Sequence, residues 1–207
     1  MINDLKNMNA FEHIVHKFNV DLTKPSPTVL TIGRENGFPE LLQELGAKVG
    51  VELGVYKGKY SEVLVKKMPS LDLTAIDAWK AYPTYKDYEV ADLEINAYNQ
   101  AVSRSEKHGF KILKEWSVPA SKQFKDESLD FIYIDSNHDF AHVIEDLNAW
   151  SPKVKKGGII SGHDFFKSRQ ARYGVTYAVP AWCDYRNVPM LFVIGGDKIP
   201  SWFYVKP

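Results

Sequence analysis

The chain predicts an α/β fold: a doubly wound, seven-stranded, mostly parallel sheet ending in a C-terminal antiparallel hairpin. Two observations carry this reading. From about residue 48 to residue 161, apolar runs of strand length alternate with helical patterns, the signature of a parallel sheet covered on both faces. The last two β-rich runs, 190–194 and 201–205, are separated by the turn-forming stretch GGDKIP, which suits a hairpin at one sheet edge. A hydrophobic content of 44% with 25% charged residues is that of a globular chain, so the runs are read as core elements.

The elements follow in order. Leu5, Met8, Phe11, Ile14, Val15 and Phe18 recur at three- and four-residue spacings, which predicts an amphipathic helix over 5–18. DLTKPSPT then breaks the chain. Pro39 suits the first turn of a short helix over 39–45, and Gly46 its end. Strands are predicted at 48–53, 71–76, 110–113, 129–134 and 158–161, with helices at 61–67, 119–124 and 140–150. No repeat, low-complexity tract or long linker divides the chain. The expectation is one domain over 1–207, with a helical cap over 1–46 and a ligand-binding core over 47–207.

Bulk properties exclude several classes. Lys plus Arg equals Asp plus Glu at 26 each, so no global field draws the chain to nucleic acid or to a membrane surface. The single cysteine, Cys183, rules out an internal disulfide framework and fits a reducing compartment. MINDLKNMNAFEH lacks a signal-peptide core, and no apolar run reaches transmembrane length, so a cytoplasmic location is expected.

The chemistry concentrates in LDFIYIDSNHDFAHVIEDLNAWSPKVKKGGIISGHDFF, residues 129–166. Asp135 and His138 follow one strand, and His163 and Asp164 follow another. Ligands of open parallel sheets bind outside the carboxyl ends of the strands, so these carboxylates and imidazoles would face one crevice. Upstream, VELGVYKGKYSEVL puts Glu52 at a strand end, with Gly54 and Gly58 in the turn that opens a helix. The next strand, LDLTAID, ends in Asp77, a position where an acid commonly accepts ribose hydroxyls. The spacing is neither the dinucleotide fingerprint G-x-G-x-x-G nor a P-loop.

E-L-G-V-Y-K-G, A-I-D-A-W, F-I-Y-I-D-S-N-H and K-K-G-G-I-I-S-G-H-D-F, in this order, resemble a class I S-adenosylmethionine-dependent methyltransferase. More narrowly, they resemble the small-molecule and sugar O-methyltransferase group, as in methyltransferase family 24. The resemblance spans about residues 49–166. It implies that Glu52, Gly54 and Gly58 shape the pocket for the methionine end of the cofactor. It implies that Asp77 holds the ribose with Trp79 nearby, and that Trp116 and Ser117 contact the adenine. Trp116 reads equally well as a partly buried core aromatic.

The same resemblance implies a divalent ion, Mg²⁺ or Mn²⁺, at Asp135, His163 and Asp164, although His163 stands where an acid is usual. It makes His138 the general base, consistent with an imidazole that titrates near neutrality. Asp135 also reads as a group serving the methionine end of the cofactor. Plainer roles stand beside these: Asn137 or Asp139 capping the helix from Phe140, and His163 as a structural strand-end group. On that helix Phe140, Val143, Ile144, Leu147 and Trp150 form the expected apolar stripe, with His142 at the surface.

On the acceptor side, Tyr82, Tyr85 and Tyr88 share a spacing that suits a lid or an amphipathic helix. Lys167, Arg169 and Arg172 suit either an anionic acceptor or a solvated loop. The expected reaction is O-methylation of a small hydroxylated acceptor, such as a sugar, by S-adenosylmethionine, releasing S-adenosylhomocysteine. A metal-independent O- or N-methyltransferase and a non-catalytic adenosine-ligand binder are the alternatives. A nicotinamide-dependent oxidoreductase is disfavoured by the glycine spacing. A homodimer is expected by analogy, with no interface legible in the sequence.

Overall fold

A computed structural model describes residues 8–80, 92–167 and 173–207. The strands are β1 (Thr28–Leu30), β2 (Val49–Leu53), β3 (Asp72–Asp77), β4 (Lys111–Lys114), β5 (Leu129–Ile134), β6 (Val154–Gly162), β7 (Phe192–Ile194) and β8 (Ser201–Val205). The α-helices are α1 (Ala10–Lys17), α2 (Phe38–Glu44), α3 (Lys59–Lys67), α4 (Tyr98–His108), α5 (Ser117–Ser121), α6 (Phe140–Trp150) and α7 (Val175–Tyr185). A π-helical turn, Asp92–Ala97, leads into α4. The tyrosine-rich segment around Tyr82, Tyr85 and Tyr88 lies outside the described residues, as do Leu5, Arg169 and Arg172.

The sheet runs in the order β1-β7-β8-β6-β5-β2-β3-β4. It has eight strands where the sequence predicts seven. β1 is the addition, a three-residue strand pairing in parallel with β7 from Thr28 opposite Phe192 to Leu30 opposite Ile194. The β7–β8 hairpin therefore does not form the edge; β1 covers it. β8 is antiparallel to both β6 and β7, so it alone among the described strands runs against the rest.

Alternating side chains on buried strands divide the core into two layers. Phe131, Tyr133, Phe203 and Val205 face one side, against Ile14 of α1, Leu41 and Leu42 of α2, Leu64 of α3 and Ala101 of α4. Ile132, Ile134, Trp202 and Tyr204 face the other, against Val143, Leu147 and Trp150 of α6 and Val179 and Trp182 of α7. Burying each of these large side chains contributes about 1.5–3 kcal/mol. The buried stripe of α6 is Val143, Asp146, Leu147 and Trp150. Phe140, expected in that stripe, is 49% exposed, and a carboxylate takes a core position instead.

α7 has no counterpart in the sequence reading. Pro180 stands inside it and masks its helical pattern. Its start is nevertheless fixed beside the strand-end cluster, because the Gly174 amide donates to the His138 carbonyl at 2.7 Å.

Candidate active site

Five parallel strands deliver their carboxyl ends to one cavity of about 560 Å³. In sheet order the wall carries Trp116 and Ser117 after β4, Asp77 at the end of β3, Glu52 and Gly54 of β2, Asp135 after β5, and His163 and Asp164 after β6. His138 lines it as well. β2 lies between β5 and β3, so the chain reverses its direction of winding there, and such switch points open crevices for ligands.

The glycine turn is built for close approach. Gly54 has φ +82°, and a Cβ there would lie 2.0 Å from the Asp135 carbonyl oxygen. Any side chain would push β2 and β5 apart at the site. Gly58, with φ +73°, caps α3 against Ala101 and does not line the cavity.

Asp77 holds the turn together. Its Oδ2 accepts from the Val55 and Tyr56 amides, both at 2.9 Å, and its Oδ1 accepts from the Trp79 amide at 2.7 Å. Tyr56 (φ +50°) and Trp79 (φ +46°) are bulky residues in the left-handed region, a costly conformation that the shared carboxylate sustains. Oδ2 has both acceptor positions filled, while Oδ1 retains one, enough for one further donor. Burial pushes the Asp77 carboxyl above its ordinary pKa against the pull of the three amides. Trp79 is fully buried and is not part of the cavity wall. Its indole donates to the Tyr56 carbonyl at 2.7 Å, fastening the turn from beneath, and packs edge-on against Tyr98.

Glu52 is 1% exposed and accepts from the Ser61 hydroxyl. Burial pushes its carboxyl up to about 8, outweighing that hydrogen bond. Ser117 donates to the buried carboxylate of Asp146 and accepts from the Trp150 indole at 2.9 Å.

The second acidic corner is held by other partners. His138 Nε2 lies 2.9 Å from Asp164 Oδ2 and 3.5 Å from Asp135 Oδ1. His163 Nδ1 lies 3.0 Å from Asp164 Oδ2 and 3.7 Å from Asp135 Oδ1. Burial alone would lower the His138 pKa, but the two carboxylates push it up to about 10. Burial likewise works to raise Asp164, yet its contacts with His138 and His163 hold it well below the usual carboxylate range. Asp164 adopts φ +57°, a conformation that Asp tolerates. The capping roles are divided: Asp139 precedes α6 without a side-chain cap, while Asn137 accepts from the Asp139 amide at 2.9 Å.

Ligand atoms of Asp135, His138 and Asp164 lie within 4.8 Å of one another. Two carboxylates and an imidazole are a donor set that Mg²⁺ or Mn²⁺ accepts. The grouped imidazole is that of His138, whereas the resemblance implied His163, which flanks the group.

Arg34 was missed by the sequence reading. It reaches the cavity from the loop between β1 and α2, with one guanidinium nitrogen 3.4 Å from Asp135 Oδ2 and its plane over the Tyr60 ring at 4.7 Å. Its backbone amide donates to Asp197 in the β7–β8 turn, which ties this loop to the turn whose Ile199 also lines the cavity. Tyr173 lies on the His138 side, with ring centroids 5.3 Å apart, and Phe166 packs against it in a tilted arrangement at 4.9 Å.

A Rossmann-like sheet with a glycine turn and acidic strand ends defines the class I methyltransferase fold. The family described as a methyltransferase domain, family 24, matches residues 51–165, and the chain belongs to it. Solved structures agree on the fold. An O-methyltransferase from Bacillus cereus in complex with S-adenosylhomocysteine superposes with a TM-score of 0.60 at 17% identity, covering 98% of this chain and 90% of that one. The N-methyltransferase NodS from Bradyrhizobium japonicum, also in complex with S-adenosylhomocysteine, gives 0.55 at 16%, covering 80% and 81%. A Podospora anserina methyltransferase bound to S-adenosylhomocysteine gives 0.59 at 9%, covering 82% and 76%. No curated protein sequence matches this one. No described helix is long and apolar enough to cross a membrane.

Proposed function

We propose that this methyltransferase moves a methyl group from S-adenosylmethionine to a hydroxyl of a small acceptor, with His138 as the general base. The observation that supports this most directly is convergence. The glycine turn and the acid–imidazole corner of Asp135, His138, His163 and Asp164 share one cavity, so a cofactor at the former presents its methyl beside the latter. The cofactor supplies an electrophilic methyl on a sulfonium, and the reaction is an in-line attack in which the protein chiefly orients the partners. Glu52, Gly54 and Asp135 serve the methionine end, Asp77 one ribose hydroxyl, and Trp116 with Ser117 the adenine.

His138 has to shed its proton before it can accept one from an acceptor hydroxyl. As the counter-cation of Asp135 and Asp164 it is held protonated. Another cation shared by the two carboxylates frees it, and Mg²⁺ or Mn²⁺ fits that role with Asp135 and Asp164 as ligands and the flanking His163 within reach once His138 gives way. When bound, such an ion would lower the pKa of an acceptor oxygen. The acceptor enters between Tyr173 and Ile199, and an aromatic and aliphatic rim suits a ring-bearing molecule such as a sugar. The chain acts as one domain in the cytoplasm, as a homodimer.

The test is calorimetry with S-adenosylhomocysteine against NAD, followed by methyl transfer to a library of hydroxylated acceptors with and without EDTA. Binding of the first ligand alone and transfer to oxygen support the reading; failure to bind S-adenosylhomocysteine ends it. Full activity of Asp164→Ala in EDTA would remove the metal while leaving the methyl transfer.

A further inference from the structure

Behind the cavity wall beyond β4 lies a buried acid that no cofactor role explains. Asp146 lies on α6 and is 4% exposed, a position where an unpaired carboxylate is costly. Its Oδ1 accepts from the Ser117 hydroxyl and its Oδ2 from the Ser136 hydroxyl, and both serines line the cavity. Ser117 also accepts from the Trp150 indole at 2.9 Å. A hydroxyl has one proton and two acceptor positions. On Ser117 the proton is committed to Asp146 and one acceptor position to Trp150. What remains can only accept. The proton of Ser136 is committed in the same way.

We propose that Asp146 is a positioning residue that makes Ser117 an acceptor-only hydroxyl, and that this selects a 6-aminopurine over a 6-oxopurine in the cofactor subsite. The inference rests on the S-adenosylmethionine reading and deepens it. An exocyclic amine donates to the remaining acceptor position of Ser117. A 6-oxo group sets oxygen against oxygen there. Ser117 does not escape by turning its proton to the ligand, because Asp146 would lose a hydrogen bond in a buried site. Selectivity therefore originates in a side chain outside the cavity wall and is transmitted through a serine that by itself could donate or accept. Asparagine at 146 breaks the arrangement, since its amide nitrogen donates to one of the serines and releases that serine's proton.

The experiment is calorimetry on the full chain with S-adenosylhomocysteine and its deaminated analogue S-inosylhomocysteine, for wild type, Asp146→Asn and Ser117→Ala. Wild type is expected to favour the adenosyl ligand by about tenfold or more, and each variant to narrow that ratio to within about threefold. A merely structural Asp146 would lower the unfolding midpoint and leave the ratio alone. An unchanged ratio in folded Asp146→Asn overturns the proposal. Should that variant not fold, Ser117→Ala decides: a narrowed ratio supports the proposal and an unchanged one overturns it. Equal wild-type affinity for both ligands overturns this inference and leaves the cofactor reading intact; binding of neither overturns both.

Discussion

Asp77 and Asp164 each end a strand or directly follow one, and both face the same cavity, yet they are satisfied in opposite ways. Asp77 receives three backbone amides, dipoles that are fixed by the fold and do not give up a proton. Asp164 receives two imidazoles, whose protons can leave. The first arrangement holds two strained residues, Tyr56 and Trp79, and so builds a rigid turn. The second is a set of charge pairs whose protons can leave. In the function proposed above, one side of the cavity holds the cofactor and the other handles the proton.

The sharpest way to break this contrast is His138→Ala. A positioned acid or base contributes about 10²–10⁴-fold to rate. Turnover is expected to fall by that order while S-adenosylhomocysteine affinity holds, measured by initial rates and calorimetry on the same preparation. An unchanged rate would place the base elsewhere and reduce the Asp164 corner to structure.

Glu52 sits between the two corners and is neutralised by neither device; burial does it. Its carboxyl is raised from 4.5 to about 8 in the folded chain. Between those values the unfolded chain is ionised at this position and the folded chain is not. Stability therefore falls as pH rises through the window, levels off above about 8, and is unaffected by this group below 4.5. Glu52→Gln should remove that decline, a difference of about 1 kcal/mol per pH unit in urea unfolding compared at pH 5 and pH 8. Parallel pH profiles for the two proteins would mean that the Glu52 charge is met by a partner.

These corners are unevenly legible in the sequence. β5, α6 and β8 are located to the residue, because buried strands and amphipathic helices of this length impose their own period. Strand-end acids were legible for the same reason: Asp77, Asp135 and Asp164 follow recognisable apolar runs. β1 was not, since three residues between prolines and a loop carry no period. Arg34 was not, because nothing local ties a loop residue to a cavity built a hundred residues later. Asp146 drew no reading from the sequence. The signal was its spacing, three after Val143 and four before Trp150, which puts it on the buried stripe. Trp79 was drawn towards the ligand by its neighbour Asp77, whereas its φ of +46° turns the indole under the loop.

Asp77→Ala tests the architectural half. Its loss leaves three amides without their shared acceptor and lets Tyr56 and Trp79 relax. Hydrogen bonds to a charged group are worth about 1.5–3 kcal/mol, and a loss of that order in urea unfolding is expected, together with weakened cofactor binding. A stable variant with intact affinity would show that the turn holds itself.

The smallest expected effect belongs to Arg34→Lys. Arg34 spans both halves: it stacks on Tyr60, beside the rigid turn, and pairs with Asp135, a member of the acid–imidazole corner. Lysine keeps the charge but loses the planar stack and the fork that reaches Asp135. The pair is partly solvent-exposed, so stability should drop by less than about 1 kcal/mol. Turnover should respond more, falling severalfold, because an Asp135 no longer drawn towards Arg34 is left to His138 and His163 alone. If urea unfolding shows the small loss and initial rates do not change, the guanidinium contributes packing only, and the division between the two halves of the cavity lies at Asp135 rather than at Arg34.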